Sequence, residues 1–256
     1  MAVSDLSEGH FAKKQLFSKS GLIRWSHRRR FEVAVRKSKG FGGRHVLDLG
    51  CGDATYFALL LQSPDCPKTA VGAEVDPRVV KANRIRFADH PLVSFVFQED
   101  LEAPEYRGTF DAVVCMEVFE HLTDPDHYLD LIHSLLRPGG RLLLSVPVET
   151  GPTLVFKQAV RRLAGWRGIG DYRFTLPYTF SELARGLFAG SRQHIPRITH
   201  STPGGMTFHC HKGFNWKTLR ERIRQRFVID RVTTSPINGL PAGLSSQVWF
   251  EAHKAD

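Results

Sequence analysis

The sequence predicts an α/β protein built on an open, seven-stranded, mostly parallel sheet with helices on both faces. Three observations predict it. Short apolar runs of strand length alternate with segments of helical period between residues 45 and 146. The runs stop in turn chemistry: Gly50 and Gly52 close the first, Asp76-Pro77 the second, Gln98-Glu99-Asp100 the third. Two more apolar runs reappear near the end of the chain, after a stretch that breaks the rhythm. This spacing implies βαβ units with right-handed crossovers.

Residues 1–40 read as a basic N-terminal helical arm, loose over 1–9. Phe11, Leu16, Phe17, Leu22, Ile23, Trp25, Phe31, Val33 and Val35 lie among its basic residues. They predict one or two amphipathic helices, the second over 25–35. Gly40-Phe41-Gly42-Gly43 ends the arm. The main domain, 41–256, opens with a buried strand over 46–49, a glycine turn and a helix over 56–61. A second strand follows over 69–75. Asp76 caps the next helix and Pro77 opens it, and the helix continues over 79–87. Further strands are predicted over 92–97 and 110–115. A helix over 125–136 is stopped by Arg137-Pro138-Gly139-Gly140 before a fifth strand over 141–146. Residues 147–208 are rich in Arg, Gly and aromatics, among them Phe156, Trp166, Tyr172, Phe174, Tyr178, Phe180 and Phe188. They read as a cap inserted between strand 5 and the following helix, over the substrate pocket. A helix over 215–226, with Trp216, Leu219 and Ile223 on one face, and strands over 227–233 and 247–253 complete the sheet.

Composition bounds the class. The 256 residues suit one large domain or one domain with an insertion, and 42% hydrophobic residues can fill a substantial core. No apolar run reaches membrane-spanning length, and the first residues lack the apolar core of a secretory leader. Cys51, Cys66, Cys115 and Cys210 are scattered and read as reduced thiols, which implies a cytoplasmic setting. The net charge of +9 is uneven. Residues 13–44 carry eleven Lys and Arg against one acid, Glu32. Such a face either meets a polyanion, including an anionic membrane at the periphery, or is simply solvated.

The chemistry begins at Asp48-Leu49-Gly50-Cys51-Gly52. The turn lies at the carboxyl end of a strand, where open α/β sheets bind ligands. A dinucleotide fingerprint would want a third glycine at 55, and Thr55 stands there. With Asp48 before it, the loop suits a ligand with a cationic end and no phosphate. This motif resembles the glycine loop of the class I S-adenosylmethionine (SAM)-dependent methyltransferases, and the seven strands resemble their Rossmann-like fold over nearly all of residues 40–256. The resemblance implies SAM as cofactor, held by Asp48, Gly50, Gly52 and Met116. It implies Glu74, not Asp76, at the ribose hydroxyls, and Asp100 with Leu101 at the adenine.

The second constellation is Cys115-Met116-Glu117-Val118-Phe119-Glu120-His121. If 116–122 forms a helical turn, Glu117, Glu120 and His121 share one face. Two carboxylates and an imidazole on one face suit a hard cation or acid/base work. The E-x-x-E-H spacing resembles the ubiquinone-biosynthesis-type O-methyltransferases and the small-RNA 3′-terminal 2′-O-methyltransferases. That resemblance implies a divalent metal (Mg, Mn or Zn) on Glu117, Glu120, His121 and a downstream histidine before an aromatic-rich helix. Here that is His211, or failing it His209, in Phe208-His209-Cys210-His211. The alternatives are His121 or His211 as a metal-free general base, with Glu120, or a packing role.

These readings converge on a SAM-dependent methyltransferase that O-methylates a small-molecule or lipid-linked acceptor. Two rivals stand beside it. One is an RNA 2′-O-methyltransferase using the basic arm on phosphates, although the chain has no separate RNA-binding module. The other is a non-catalytic SAM-fold protein that binds a partner or a membrane.

Overall fold

The computed structural model describes residues 16–17, 21–166, 177–193, 195–202 and 205–256. The first half of the expected arm and the cap aromatics Tyr172 and Phe174 lie outside them. The arm's second helix is α1 (Gly21–Lys37), longer at both ends than its pattern predicts. It leads into β1 (His45–Leu49), α2 (Thr55–Leu60) and β2 (Thr69–Glu74). Asp76 caps α3 (Pro77–Arg86) by accepting from the Arg78 backbone N–H at 2.8 Å, and Pro77 supplies the preset φ of a first turn. β3 (Val93–Phe97), β4 (Phe110–Met116) and α4 (Pro125–Leu135) follow. β5 (Leu136–Pro147) begins directly at the end of α4. Arg137-Pro138-Gly139-Gly140 is therefore the irregular first half of the strand and not a separate loop, and the β4–β5 register shifts there.

The cap holds α5 (Pro152–Trp166), α6 (Phe180–Leu187) and a small hairpin of β6 (Thr199–Ser201) with β7 (Thr207–His209). The chain closes with α7 (Trp216–Arg224), β8 (Val228–Ser235) and β9 (Gln247–His253). The main sheet has the order β3-β2-β1-β4-β5-β9-β8. β1 to β5 are parallel, and β9 runs antiparallel to both β5 and β8.

Alternation along the strands fills a core on each face, as a sheet covered on both sides requires. Leu47, Leu49, Leu142, Leu144 and Phe250 pack with Leu129 and Ile132 of α4 on one face. Val46, Val114, Leu143 and Trp249 pack on the other with Phe31 of α1 and with Tyr56 and Phe57 of α2. α1 is pinned at its end by Lys37 Nζ on Glu251 at 2.5 Å and by the Ser38 hydroxyl on Tyr56 OH at 2.6 Å. The chain reverses direction across the sheet between β1 and β4, and their carboxyl ends open the crevice where such sheets take ligands. Among the described residues, no helix is long and apolar enough to cross a membrane.

Candidate active site

Two cavities adjoin at the carboxyl ends of β1, β4 and β5. The first, of about 530 Å³, is lined by Asp48, Gly50, Gly52, Glu74, Gln98, Met116, Val118, His121 and Tyr128, among others. Its floor is the glycine loop. Gly50 has φ +75, and a Cβ there would come 2.3 Å from Val118 Cγ2. Only glycine leaves room for both Val118 and a ligand. Asp48 is 2% exposed, and its Oδ1 has no hydrogen-bond partner. Burial first, and the Glu74 charge second, push its carboxyl up to about 8. Glu74 Oε2 accepts from the Gly52 N–H at 3.0 Å and Oε1 from the Val75 N–H at 2.8 Å, so the carboxylate is fixed between β2 and the loop. Asp76 faces its own helix, and Arg78 pulls it down to about 2.

Asp100 and Leu101 are the residues expected at the adenine. Neither is among the residues lining this cavity. Residues 98–102 form a 3₁₀ turn in which the Asp100 carboxylate accepts from the Phe97 N–H at 3.1 Å and Leu101 is fully buried in the core. Gln98 faces the cavity instead, donating to Tyr128 OH at 2.7 Å.

The second cavity, of about 580 Å³, lies under the cap and shares Arg30 and Glu117 with the first. His27, Glu149, Lys157, Arg161, Tyr178, His211 and Lys212 also line it. Glu149 is buried at the end of β5 and carries two cations: Lys157 Nζ at 3.1 Å and a bidentate Arg161 at 2.9 and 3.0 Å. These partners hold its carboxyl below the usual range despite burial. The inner face of α5 is thereby tied to the sheet.

Between the cavities stands the E-x-x-E-H segment. It forms no helical turn. Glu117 adopts the left-handed region, φ +57, which a helix excludes. Its Oε1 accepts from the Ser145 hydroxyl at 3.3 Å and its Oε2 sits 3.7 Å from Arg30 Nη1. Arg30, read as part of a basic face, is therefore an inward-facing pocket residue, while Arg28 and Arg29 pair with Glu32 on the surface. Glu120, His121 and His211 do converge, each offering a ligand atom within 4.8 Å of the others. Glu117 is outside this close group. His209, the alternative ligand, is outside it too, with Nδ1 3.2 Å from the Ile198 carbonyl.

Backbone pairing brings the two segments together. The His209 N–H donates to the His121 carbonyl at 2.9 Å, and His121 Nδ1 lies 2.9 Å from the His209 carbonyl. Arg197 donates to the carbonyls of both Glu120 and Cys210. The His121 and His211 rings then meet edge to face, 4.9 Å between centroids. Glu120 is fully buried and neither carboxyl oxygen has a hydrogen-bond partner. Burial, then the nearby Glu117 charge, raise its pKa well above the carboxylate range. His211 is lowered to about 4, chiefly by burial, and its Nδ1 is unpartnered. A buried carboxyl without donors beside a neutral imidazole is what a cation site presents before it is loaded. Two imidazoles and one carboxylate suit Zn²⁺ or Mn²⁺ better than Mg²⁺, which prefers oxygen.

Comparison with known proteins finds methyltransferases. A family model described as a methyltransferase domain matches residues 13–185. A ubiquinone biosynthesis O-methyltransferase of Xanthomonas oryzae is 40% identical over 143 residues, 51% of this chain and 56% of that protein. One from Xylella fastidiosa is 35% identical over 114 residues, 43% of this chain and 45% of that protein. The chain thus matches about half the length of these relatives. A SAM-dependent methyltransferase from Aquifex aeolicus shares the fold with a TM-score of 0.53 at 12% identity, over 88% of this chain and 89% of that one. The N-methyltransferase NodS from Bradyrhizobium japonicum does so with a TM-score of 0.53 at 14% identity, over 90% and 96%.

Proposed function

The chain belongs to the methyltransferase domain family, in its SAM-dependent class, and from that premise we propose that it O-methylates a hydroxyl of a small-molecule or lipid-linked acceptor. The observation that carries this reading is the second cavity. It meets the cofactor cavity at Arg30 and Glu117, with His211 in its wall and the Glu120–His121–His211 group beside it.

The sulfonium of SAM supplies an activated methyl group. The chain must hold that cofactor, admit the acceptor and handle one proton. Gly50 and Gly52 let the backbone approach the ligand, and buried Asp48 meets its cationic end. Glu74, with lone pairs to spare after its backbone bonds, takes the ribose hydroxyls, and the turn of Gln98, Asp100 and Leu101 takes the adenine. Glu120, His121 and His211 would hold a divalent ion, which supplies a Lewis acid that lowers a hydroxyl's pKa. Arg197 keeps the two ligand segments in register. Arg30 and Glu117 close the wall between acceptor and cofactor.

Glu74→Ala removes charge-assisted hydrogen bonds worth roughly 1.5–3 kcal/mol. SAM affinity is expected to fall about 10- to 100-fold with the melting temperature unchanged. Unchanged affinity in a calorimetric titration would move the ribose contact elsewhere.

The test of the whole reading is methyl-labelled SAM incubated with cell extract and the full chain. Label is expected in small molecules or lipids as a base-stable ether. Label in RNA would install the 2′-O-methyltransferase reading instead. SAM binding with no label transferred to any fraction would leave a non-catalytic binder.

A further inference from the structure

Two smaller cavities adjoin at the other end of α1. They measure about 230 and 240 Å³, share Arg141, Arg231 and Glu251, and have no lining residue in common with the two cavities above. Their floor is the sheet, where β5, β9 and β8 lie side by side. Leu143, Glu251 and Arg231 are neighbours in register across it. A shift in β8 sets this row. Ile229 pairs with Ala252 and the next pair is Arg231 with Glu251, so Asp230 is passed over. A regular ladder would have put a second carboxylate beside Glu251, and the bulge puts a cation there. Asp230 lies instead 2.9 Å from His253 Nδ1. The walls are Val33 and Arg36 of α1, Lys39 just beyond it, and Asn238 in the loop after β8. That loop is tied back by the Thr234 hydroxyl, which donates to the Leu240 carbonyl at 2.9 Å.

Charge and unmet hydrogen bonds identify the occupant. Glu251 is taken by Lys37. Arg36, Lys39, Arg141 and Arg231 line the same cavity and make no ion pair among the described residues. Arg141 is held in place: its Nη1 donates to the Lys39 carbonyl at 3.1 Å, and its guanidinium lies over the Phe41 ring, 5.1 Å from the centroid. A guanidinium fixed in this way has N–H groups to spare and loses little freedom when a ligand arrives. Thr233 lines the cavity too, and its Oγ1 is buried with no hydrogen-bond partner. A lone carboxylate would answer only part of this charge. A phosphoryl group, with a charge of about −2 and three terminal oxygens, can take lysine and arginine from both sides of the cleft at once.

We propose that the cleft between the end of α1 and the outer strands is a second ligand site, which takes a small soluble molecule bearing a phosphoryl or pyrophosphoryl group. The cleft is recessed and small, as a site for a free ligand is, whereas a nucleic-acid backbone runs along an open groove. The site stands on its own residues and does not depend on the methyl-transfer reading. Its ligand bridges α1 to β8 and β9, and so steadies the helix whose earlier turns bring His27 and Arg30 to the cavities above.

The test is calorimetric titration of the full chain with inorganic pyrophosphate, in chloride buffer free of divalent metal. One site is expected, with a Kd below about 1 mM, tighter than for orthophosphate and weakening with salt. Arg36→Ala/Arg231→Ala is expected to weaken it at least about tenfold, and the melting temperature of the free protein to hold because both side chains are exposed. Lys81→Ala/Arg185→Ala removes two exposed cations outside the cleft and is expected to bind as the parent does. Amide exchange is expected to slow in the last turns of α1 and in β8 once pyrophosphate saturates the chain. Three results would overturn the site: no binding of pyrophosphate, equal binding by Arg36→Ala/Arg231→Ala, or protection confined to other segments. A single-stranded RNA that binds through Arg36 and Arg231 more tightly than pyrophosphate would overturn the small-ligand assignment in favour of nucleic acid.

Discussion

His211→Ala is expected to lower methyl transfer about a thousandfold while SAM affinity stays within about twofold, because acid–base or metal assistance at the acceptor contributes on the order of 10²–10⁴. His211 lines the second cavity, proposed for the acceptor, and not the first. Glu120→Gln is expected to cost as much turnover without unfolding the protein. Its carboxyl has no donor to lose, so removing a buried, unsatisfied acid is neutral or stabilising. The double variant is expected to lie within about threefold of either single one, since each change already disables the group. Chelation is expected to suppress the parent enzyme, and Zn²⁺ or Mn²⁺ to restore it. If activity survives chelation and Glu120→Gln but not His211→Ala, the histidine is a metal-free base. Full activity of His211→Ala would sink both accounts.

Gly50→Ala is expected to weaken SAM binding by about two orders of magnitude or more. The left-handed backbone costs a non-glycine residue roughly 1–2 kcal/mol. The new methyl also meets Val118 at 2.3 Å, and Val118 lines the same cavity. Overpacking of this kind costs roughly 1–3 kcal/mol. Adding Val118→Ala removes the clash and leaves the backbone cost, so the double variant is expected to regain about tenfold in affinity. Titration of both variants, with circular dichroism to confirm folding, decides the matter. A Gly50→Ala protein that binds SAM as tightly as the parent would show that the loop is not the cofactor cradle.

What the sequence made legible and what it hid have local physical causes. Residues 45–49 could be read as strand and turn because apolar alternation and two glycines act within six or seven residues. The place of Glu74 in the wall of the first cavity could be read because a strand end fixes where its side chain points. The directions of Gln98 and Asp100 were hidden because a 3₁₀ turn has three residues per turn and not the two-residue period of the strand before it. Gln98 and Leu101 then share the buried side, and Asp100 turns back to the Phe97 N–H. The only hint was a glutamine at a strand end, and its partner, Tyr128, is 30 residues away. Glu117 was grouped with Glu120 and His121 on an assumed helix, and a left-handed residue right after β4 sends it toward Arg30. Arg197 and Glu149 carried no motif at all. Their roles arise from carbonyls and cations brought in by the tertiary fold.

His121 stands on the turn after β4, rooted in the sheet, whereas His211 follows the cap hairpin and meets it through the His121–His209 exchange and Arg197. On the proposed chemistry, the site is therefore assembled from two segments expected to differ in stability. Strands β1, β4 and β5 are expected to open only with the whole molecule, while a hairpin of two three-residue strands on a bridge of a few hydrogen bonds is expected to open sub-globally at far lower cost. Each such opening parts the histidines and leaves the cofactor cradle whole. Amide protection at His209 is then expected to track the lifetime of the competent enzyme, and heat is expected to silence catalysis before it melts the fold.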